Sequence, residues 1–83
     1  MANILVIEDN EQNLYLTTFI LERRGHRVTA ARDGSQGIQL AQELCPALML
    51  LDIQLPVMDG YAVAEALRRN PALTHIPIVA VTS

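Results

Sequence analysis

The 83-residue chain contains no lysine and no tryptophan, and it has one cysteine, Cys45. Because a single cysteine cannot form an internal disulfide, we expect a reducing, cytoplasmic setting. The six basic residues are all arginines and are outnumbered by nine acidic ones, which gives a net charge of -3. Nucleic-acid binding needs a basic patch that this balance does not supply, so we predict no nucleic-acid partner.

Long apolar runs are also missing. No run approaches the ~18 residues of a membrane helix, and the N-terminus has no basic segment followed by an apolar core. We therefore predict neither a membrane span nor a signal peptide. Hydrophobic residues still make up 51% of the chain, which is too many for a disordered segment. Length and composition together predict one small globular domain over residues 1–83.

Short apolar runs predict four β-strands. The first, third and fourth runs are continuously apolar, which is typical of strands buried on both faces of a parallel sheet. The second run is shorter and more polar, as expected of an edge strand. The four runs are residues 4–7, 28–31, 47–51 and 78–81.

Helix-length segments separate these runs. Gly25 follows the first segment as a left-handed stop, Asp33 and Gly34 form a turn before the second, and Asp59 can cap the third. The resulting order, β-α-β-α-β-α-β, predicts an α/β fold with a parallel sheet. The three predicted helices span residues 10–24, 35–44 and 60–70.

Ligands of such sheets bind beyond the carboxyl ends of the strands, and in this chain those ends are acidic. Glu8 and Asp9 follow the first run, Asp52 follows the third, and Thr82 follows the fourth. Neighbouring carboxylates repel one another, so this cluster needs a cation or a proton. Mg²⁺ prefers oxygen ligands and leaves room for phosphate. A carboxylate beside Mg²⁺ and a hydroxyl is suited to accept a phosphoryl group.

Three segments of the chain match the motifs of a known family. They are residues 4–10 (ILVIEDN), 50–60 (LLDIQLPVMDG) and 76–83 (IPIVAVTS). With these segments, the chain resembles the receiver domain of two-component response regulators from residue 3 onward. The resemblance implies a flavodoxin-like, doubly wound parallel sheet, which in this chain would have four strands in the order 2-1-3-4 and three helices.

The resemblance also implies roles for five residues. Asp52 would be the phosphoacceptor. Asp9 would bind Mg²⁺ together with Asp52, Glu8 would act largely through water, and the Gln54 main-chain carbonyl would complete the protein ligands. The Thr82 hydroxyl would be the switch group that contacts the phosphoryl group. The implied partner is a sensor histidine kinase or a histidine phosphotransfer protein.

A receiver has five strands and five helices, so we expect this chain to lack the fourth helix, the fifth strand and the fifth helix. The family's lysine after strand five would be lost with them. Strand four would then be an unprotected edge, and one face of the sheet would be partly bare. We therefore predict a homodimer or a higher oligomer, formed through this edge or face.

Two other functions stay open. A receiver with impaired phosphorylation would act as a non-switching, oligomerising interaction module, which the absent lysine favours. An enzyme of the haloacid-dehalogenase type also has a nucleophilic aspartate after an apolar strand, but it needs a second aspartate where this chain has Gln54. We therefore expect no enzyme activity beyond self-catalysed phosphotransfer to Asp52.

Overall fold

The computed structural model describes residues 2–52 and 60–81. Within them, four parallel strands form one sheet in the order β2-β1-β3-β4. This confirms the predicted α/β architecture and strand order. The elements, in chain order, are β1 (Asn3–Ile7), α1 (Glu11–Arg23), β2 (Arg27–Ala31), α2 (Gly34–Leu44), β3 (Leu48–Asp52), α3 (Gly60–Arg68) and β4 (Ile78–Val81).

Strand β1 is the centre of the core. Its four apolar residues are at most 3% exposed, because side chains alternate between two covered faces of the sheet. Leu5 and Ile7 pack with buried residues of α2 and α3, whereas Ile4 and Val6 pack with Leu14 of α1. The continuous apolar run of β1 was therefore correctly interpreted as a strand buried on both faces.

Strand β4 has a similar apolar run but a different environment. Within the described residues it pairs only with β3, and Val79 and Val81 are 48% and 41% exposed. The interpretation of this run as buried on both faces is therefore wrong, whereas the expectation that strand four forms an edge is confirmed. The opposite edge of the described sheet is β2, which was also correctly predicted to be an edge strand.

The helix ends follow the local sequence signals. Asn10 caps α1 by accepting a 2.9 Å hydrogen bond from the Asn13 backbone N–H, and Asp33 caps α2 in the same way. Gly25 has the predicted positive φ, at 88°. Helix α3 ends at Arg68, two residues before the predicted end. Its predicted cap, Asp59, lies outside the described residues.

A close contact between α2 and β1 depends on a glycine. A Cβ atom added to Gly37 would lie 2.3 Å from Cδ1 and 2.8 Å from Cγ1 of Ile7. Ile7 is fully buried and packs within the main core cluster, so a shift of its side chain would disturb neighbouring core residues. Gly37 therefore lets α2 approach the C-terminal end of β1, next to the acidic residues that follow it.

We predict that Gly37→Ala lowers the free energy of unfolding by about 1–3 kcal/mol, because the added methyl group overpacks the helix–sheet contact. Urea denaturation measures this loss. The double variant Gly37→Ala with Ile7→Val removes Cδ1, the atom of closest approach, and should be more stable than the sum of the two single changes predicts. Additive effects would contradict this explanation.

Candidate metal centre

Three carboxylates meet at the C-terminal edge of the sheet. Glu8 directly follows β1, and Asp52 is the last residue of β3, which pairs with β1 through Ile7 and Leu51. One carboxylate oxygen from each of Glu8, Asp9 and Asp52 lies within 4.8 Å of the other two. The parallel sheet therefore brings together residues that are more than forty positions apart in the sequence.

Backbone hydrogen bonds hold Glu8 in this position. Its N–H donates to the carbonyl of Ala31 at 2.9 Å, which extends the pairing of β1 with β2 by one residue. Its carboxylate Oε2 accepts a 3.2 Å hydrogen bond from the N–H of Asn10, the residue that also caps α1. The end of β1 and the start of α1 together fix the acidic turn.

The three carboxylates differ in their exposure to solvent. Glu8 and Asp52 are 8% and 4% exposed, whereas Asp9 is exposed. Burial is the main reason that the pKa of Glu8 rises from its ordinary 4.5 to about 7. A hydrogen bond to Asp52 and the charges of Asp52 and Asp9 raise this pKa further, and the Asn10 N–H opposes the rise. In the absence of a cation, a proton on Glu8 therefore relieves part of the repulsion.

These residues fit a hard divalent cation. All three offer carboxylate oxygens, the ligand type that Mg²⁺ prefers, and the exposed side of Asp9 leaves room for water or a phosphate oxygen. A small cavity of about 20 Å³ beside Glu8 and Asp52, bordered by Thr17 and Val81, has room for about one water molecule. Access of a larger group is therefore expected from the side of Asp9.

A second groove lies away from the acidic cluster. It has a volume of about 180 Å³ and lies at the N-terminal end of β1 and β2, where Leu44 and Pro46 border it. No carboxylate of the described residues lines this groove, so it does not compete with the acidic cluster as a cation site.

Three of the five site residues predicted from the sequence are among the described residues. Glu8, Asp9 and Asp52 lie together as expected, whereas Gln54 and Thr82 lie outside the described residues. What the sequence reasoning missed is the burial of Glu8. The available signal was that Glu8, like Asp52, directly follows a continuously apolar strand.

We predict that the metal-free protein loses stability as the pH rises from about 4.5 to about 7. The raised pKa means that the folded state binds more protons than the unfolded state in this range, so raising the pH favours unfolding. The loss should be roughly 1–3 kcal/mol, measured by urea denaturation with a chelator present. Glu8→Gln should remove most of this slope, and an equal slope in both proteins would contradict the assignment to Glu8.

Comparison with known proteins agrees with this geometry. Residues 4–83 match the family model of the response regulator receiver domain. The polar-differentiation response regulator DivK of Brucella anthropi is 38% identical over 81 residues, which are 98% of this chain and 66% of DivK. The DivK protein of Brucella ovis shows the same identity and coverage.

Solved structures show the same fold. The receiver domain of a Pseudomonas aeruginosa sensor histidine kinase, with a magnesium ion coordinated in its active-site cleft, is 34% identical with a TM-score of 0.92. The N-terminal domain of a response regulator receiver protein from Methanoculleus marisnigri is 31% identical with a TM-score of 0.93. The matches cover 95% and 96% of this chain, and 65% of each solved chain.

The chain thus spans about two thirds of the length of the relatives that it matches. Its strand order, its helices and the matched residues 4–83 agree with one family. The chain belongs to the response regulator receiver domains of two-component signal transduction.

Proposed function

We propose that this receiver domain accepts a phosphoryl group on Asp52 in a two-component phosphorelay, with Mg²⁺ as its cofactor. The observation that supports this most strongly is the meeting of Glu8, Asp9 and Asp52 within 4.8 Å at the C-terminal edge of the sheet. Buried acidic groups at such short distances are costly unless a cation or proton compensates them. A receiver domain of similar fold holds magnesium in its active-site cleft.

The reacting group is the Asp52 carboxylate. One of its oxygens attacks the phosphorus atom of the donor and forms an aspartyl phosphate. The bond that breaks joins phosphorus to the imidazole nitrogen of a phosphohistidine, or to the acetate oxygen when acetyl phosphate is the donor. Bound Mg²⁺ would supply charge neutralisation at the phosphoryl oxygens.

The remaining residues bind and orient. We propose that Asp9 and Asp52 ligate Mg²⁺ directly, that Glu8 acts largely through water, and that the Gln54 main-chain carbonyl completes the set. Thr82 would contact the phosphoryl group through its hydroxyl. Thr82 follows Val81 in the chain, and Val81 pairs with Asp52 in the sheet, which supports this assignment.

The wider function follows from the family. Receiver domains are generally non-catalytic signalling modules that interact with histidine kinases or phosphotransfer proteins, and we propose such a protein as the phosphoryl donor. We also propose that residues 1–83 act as one receiver-like domain in the cytoplasm. None of the described helices is both long and apolar enough to cross a membrane.

Incubation with acetyl phosphate and Mg²⁺ tests the phosphoacceptor. We expect the intact mass to rise by one phosphoryl group, and we expect Asp52→Asn to abolish the adduct because an amide oxygen is a far weaker nucleophile. Omission of Mg²⁺ should reduce the yield at least about tenfold, since the repulsion between the phosphoryl oxygens and the carboxylates is then uncompensated.

Asp33→Asn is a matched control for this experiment. Asp33 caps α2 through its side chain, and asparagine is an equally good cap, so this variant should keep both its fold and its labelling. An adduct that survives in Asp52→Asn would show that another residue is the acceptor. The complete absence of an adduct in the unchanged protein would favour a non-switching interaction module.

A second candidate function is self-association through the sheet. Leu48 and Leu50 of β3 are only partly buried. On the edge strand, Val79 pairs with Leu50, and both Val79 and Val81 are nearly half exposed. An apolar edge strand with free backbone groups is a ready template for pairing with a second chain. We propose that the 83-residue chain forms a homodimer or higher oligomer through this edge and face.

Sedimentation velocity at micromolar concentration tests this second function. We expect assemblies larger than a monomer, and we expect Val79→Lys combined with Val81→Lys to weaken the association at least about tenfold through lost apolar burial. Tyr61→Lys is the control, because Tyr61 is exposed and lies on helix α3 instead of on the edge strand. A folded monomer of the unchanged protein would contradict the proposal.

A further inference from the structure

The outer face of α1 is unusually apolar. Eight large hydrophobic side chains of the described residues are exposed, and four of them lie within two turns of this one helix. We call these four residues the α1 patch: Tyr15 and Leu16 are 72% and 56% exposed, and Phe19 and Ile20 are both 46% exposed. Clusters of this kind on a protein surface mark interaction sites more often than isolated apolar residues do.

Contacts within the α1 patch hold its side chains in place. The rings of Tyr15 and Phe19 stack with their centroids 6.4 Å apart and an interplanar angle of 19°. The Arg23 guanidinium lies 5.7 Å from the centroid of the Phe19 ring. The side chains are spaced four residues apart, so the helix itself aligns them. The surface is therefore largely formed before any partner binds, which lowers the entropic cost of association.

The patch has a protruding half and a concave half. Tyr15 and Leu16, its most exposed members, occupy the N-terminal half. The C-terminal half borders an open groove of about 330 Å³ that is lined by Phe19, Ile20, Arg23 and Arg24. A second α1 helix that runs in the opposite direction would present its protruding half to this groove and its groove to the protruding half.

Charge is distributed in the same self-complementary manner. Glu11 lies in the first turn of α1 and Arg23 in the last. Both are about six residues from the midpoint between Leu16 and Phe19, which is roughly 9 Å along the helix axis. In an antiparallel pair, Glu11 of one copy is therefore at the level of Arg23 of the other. The helix dipoles also oppose one another in this arrangement.

Existing contacts do not prevent this pairing. Glu11 accepts a 2.7 Å hydrogen bond from Arg32, but both side chains are more than half exposed. Exposed ion pairs of this kind contribute at most about 1 kcal/mol, so Glu11 can exchange partners at little cost. Arg23 can retain its contact with Phe19 while its guanidinium edge faces the second copy.

We infer that the α1 patch is a two-fold interface at which a second copy of this chain docks. The two α1 helices pack antiparallel, with Leu16 of each copy against Phe19 of the other and with Glu11 opposite Arg23. This surface is separate from the β4 edge, and its formation does not require phosphorylation of Asp52. Each copy offers both the protruding half and the groove, so the contact closes as a dimer.

Disulfide cross-linking tests the geometry directly. The interface places residue 16 of both copies next to the two-fold axis, within the Cα separation that a disulfide allows. In a Cys45→Ser background, Leu16→Cys should therefore form a disulfide-linked dimer under mild oxidation. Glu22→Cys is the matched control. It is exposed on the same helix but lies far from the axis, so it should cross-link at least about tenfold more slowly.

Charge reversal tests the pairing. In the Leu16→Cys protein, Arg23→Glu should slow cross-linking about tenfold, because it replaces two attractive pairs by two repulsive ones. Adding Glu11→Arg to the Arg23→Glu variant should restore the rate, because both members of each ion pair then carry the opposite charge and attract one another again. Arg69→Glu makes the same change in net charge just beyond the end of α3 and should leave the rate unchanged.

The outcomes are distinguishable. Circular dichroism confirms that each variant is folded before its rate is compared. Equal cross-linking of Leu16→Cys and Glu22→Cys would overturn the proposal and would leave the α1 patch to a different protein. A failure of Glu11→Arg to rescue Arg23→Glu would overturn the antiparallel pairing. Retention of the cross-link in the Val79→Lys, Val81→Lys protein would show that it does not arise from contact at the sheet edge.

Discussion

The convergence of three carboxylates at one edge of the sheet is the constraint on which the candidate site depends. Parallel strands end at the same edge of a sheet, so Glu8, Asp9 and Asp52 are brought within 4.8 Å of one another by the topology itself. Two of the three are almost completely buried. Their repulsion must be compensated by a proton or a cation, and a site with this property is suited to bind a metal ion and a phosphoryl group together.

Packing supports this arrangement. Gly37 allows α2 to approach Ile7, the residue immediately before Glu8, and Asn10 both caps α1 and donates a hydrogen bond to the Glu8 carboxylate. The acidic turn is thus held between the end of a buried strand and the start of a helix. The proton on Glu8 follows from this burial, and it links the stability of the fold to the charge of the site.

Much of the fold and part of the site could be predicted from sequence because they depend on local patterns. Apolar runs identified the four strands, and Asn10, Gly25 and Asp33 marked helix ends. The apolar run of β4 resembles that of β1 and did not by itself indicate exposure, and the edge position of β4 was expected only from the strand order of the resembling family. Cys45, at the end of α2, is likewise exposed although its type is usually buried.

The same limit applies to α1, where Leu14 is buried and Leu16 is exposed although both are apolar. Burial depends on what packs against a residue, and this cannot be read from the sequence.

A magnesium titration followed by amide NMR shifts is the most direct test of cation binding at the three carboxylates. We expect saturable shifts concentrated at Glu8, Asp9 and Asp52 that disappear in Asp52→Asn. Absent shifts, or shifts that Asp52→Asn leaves unchanged, would contradict this expectation.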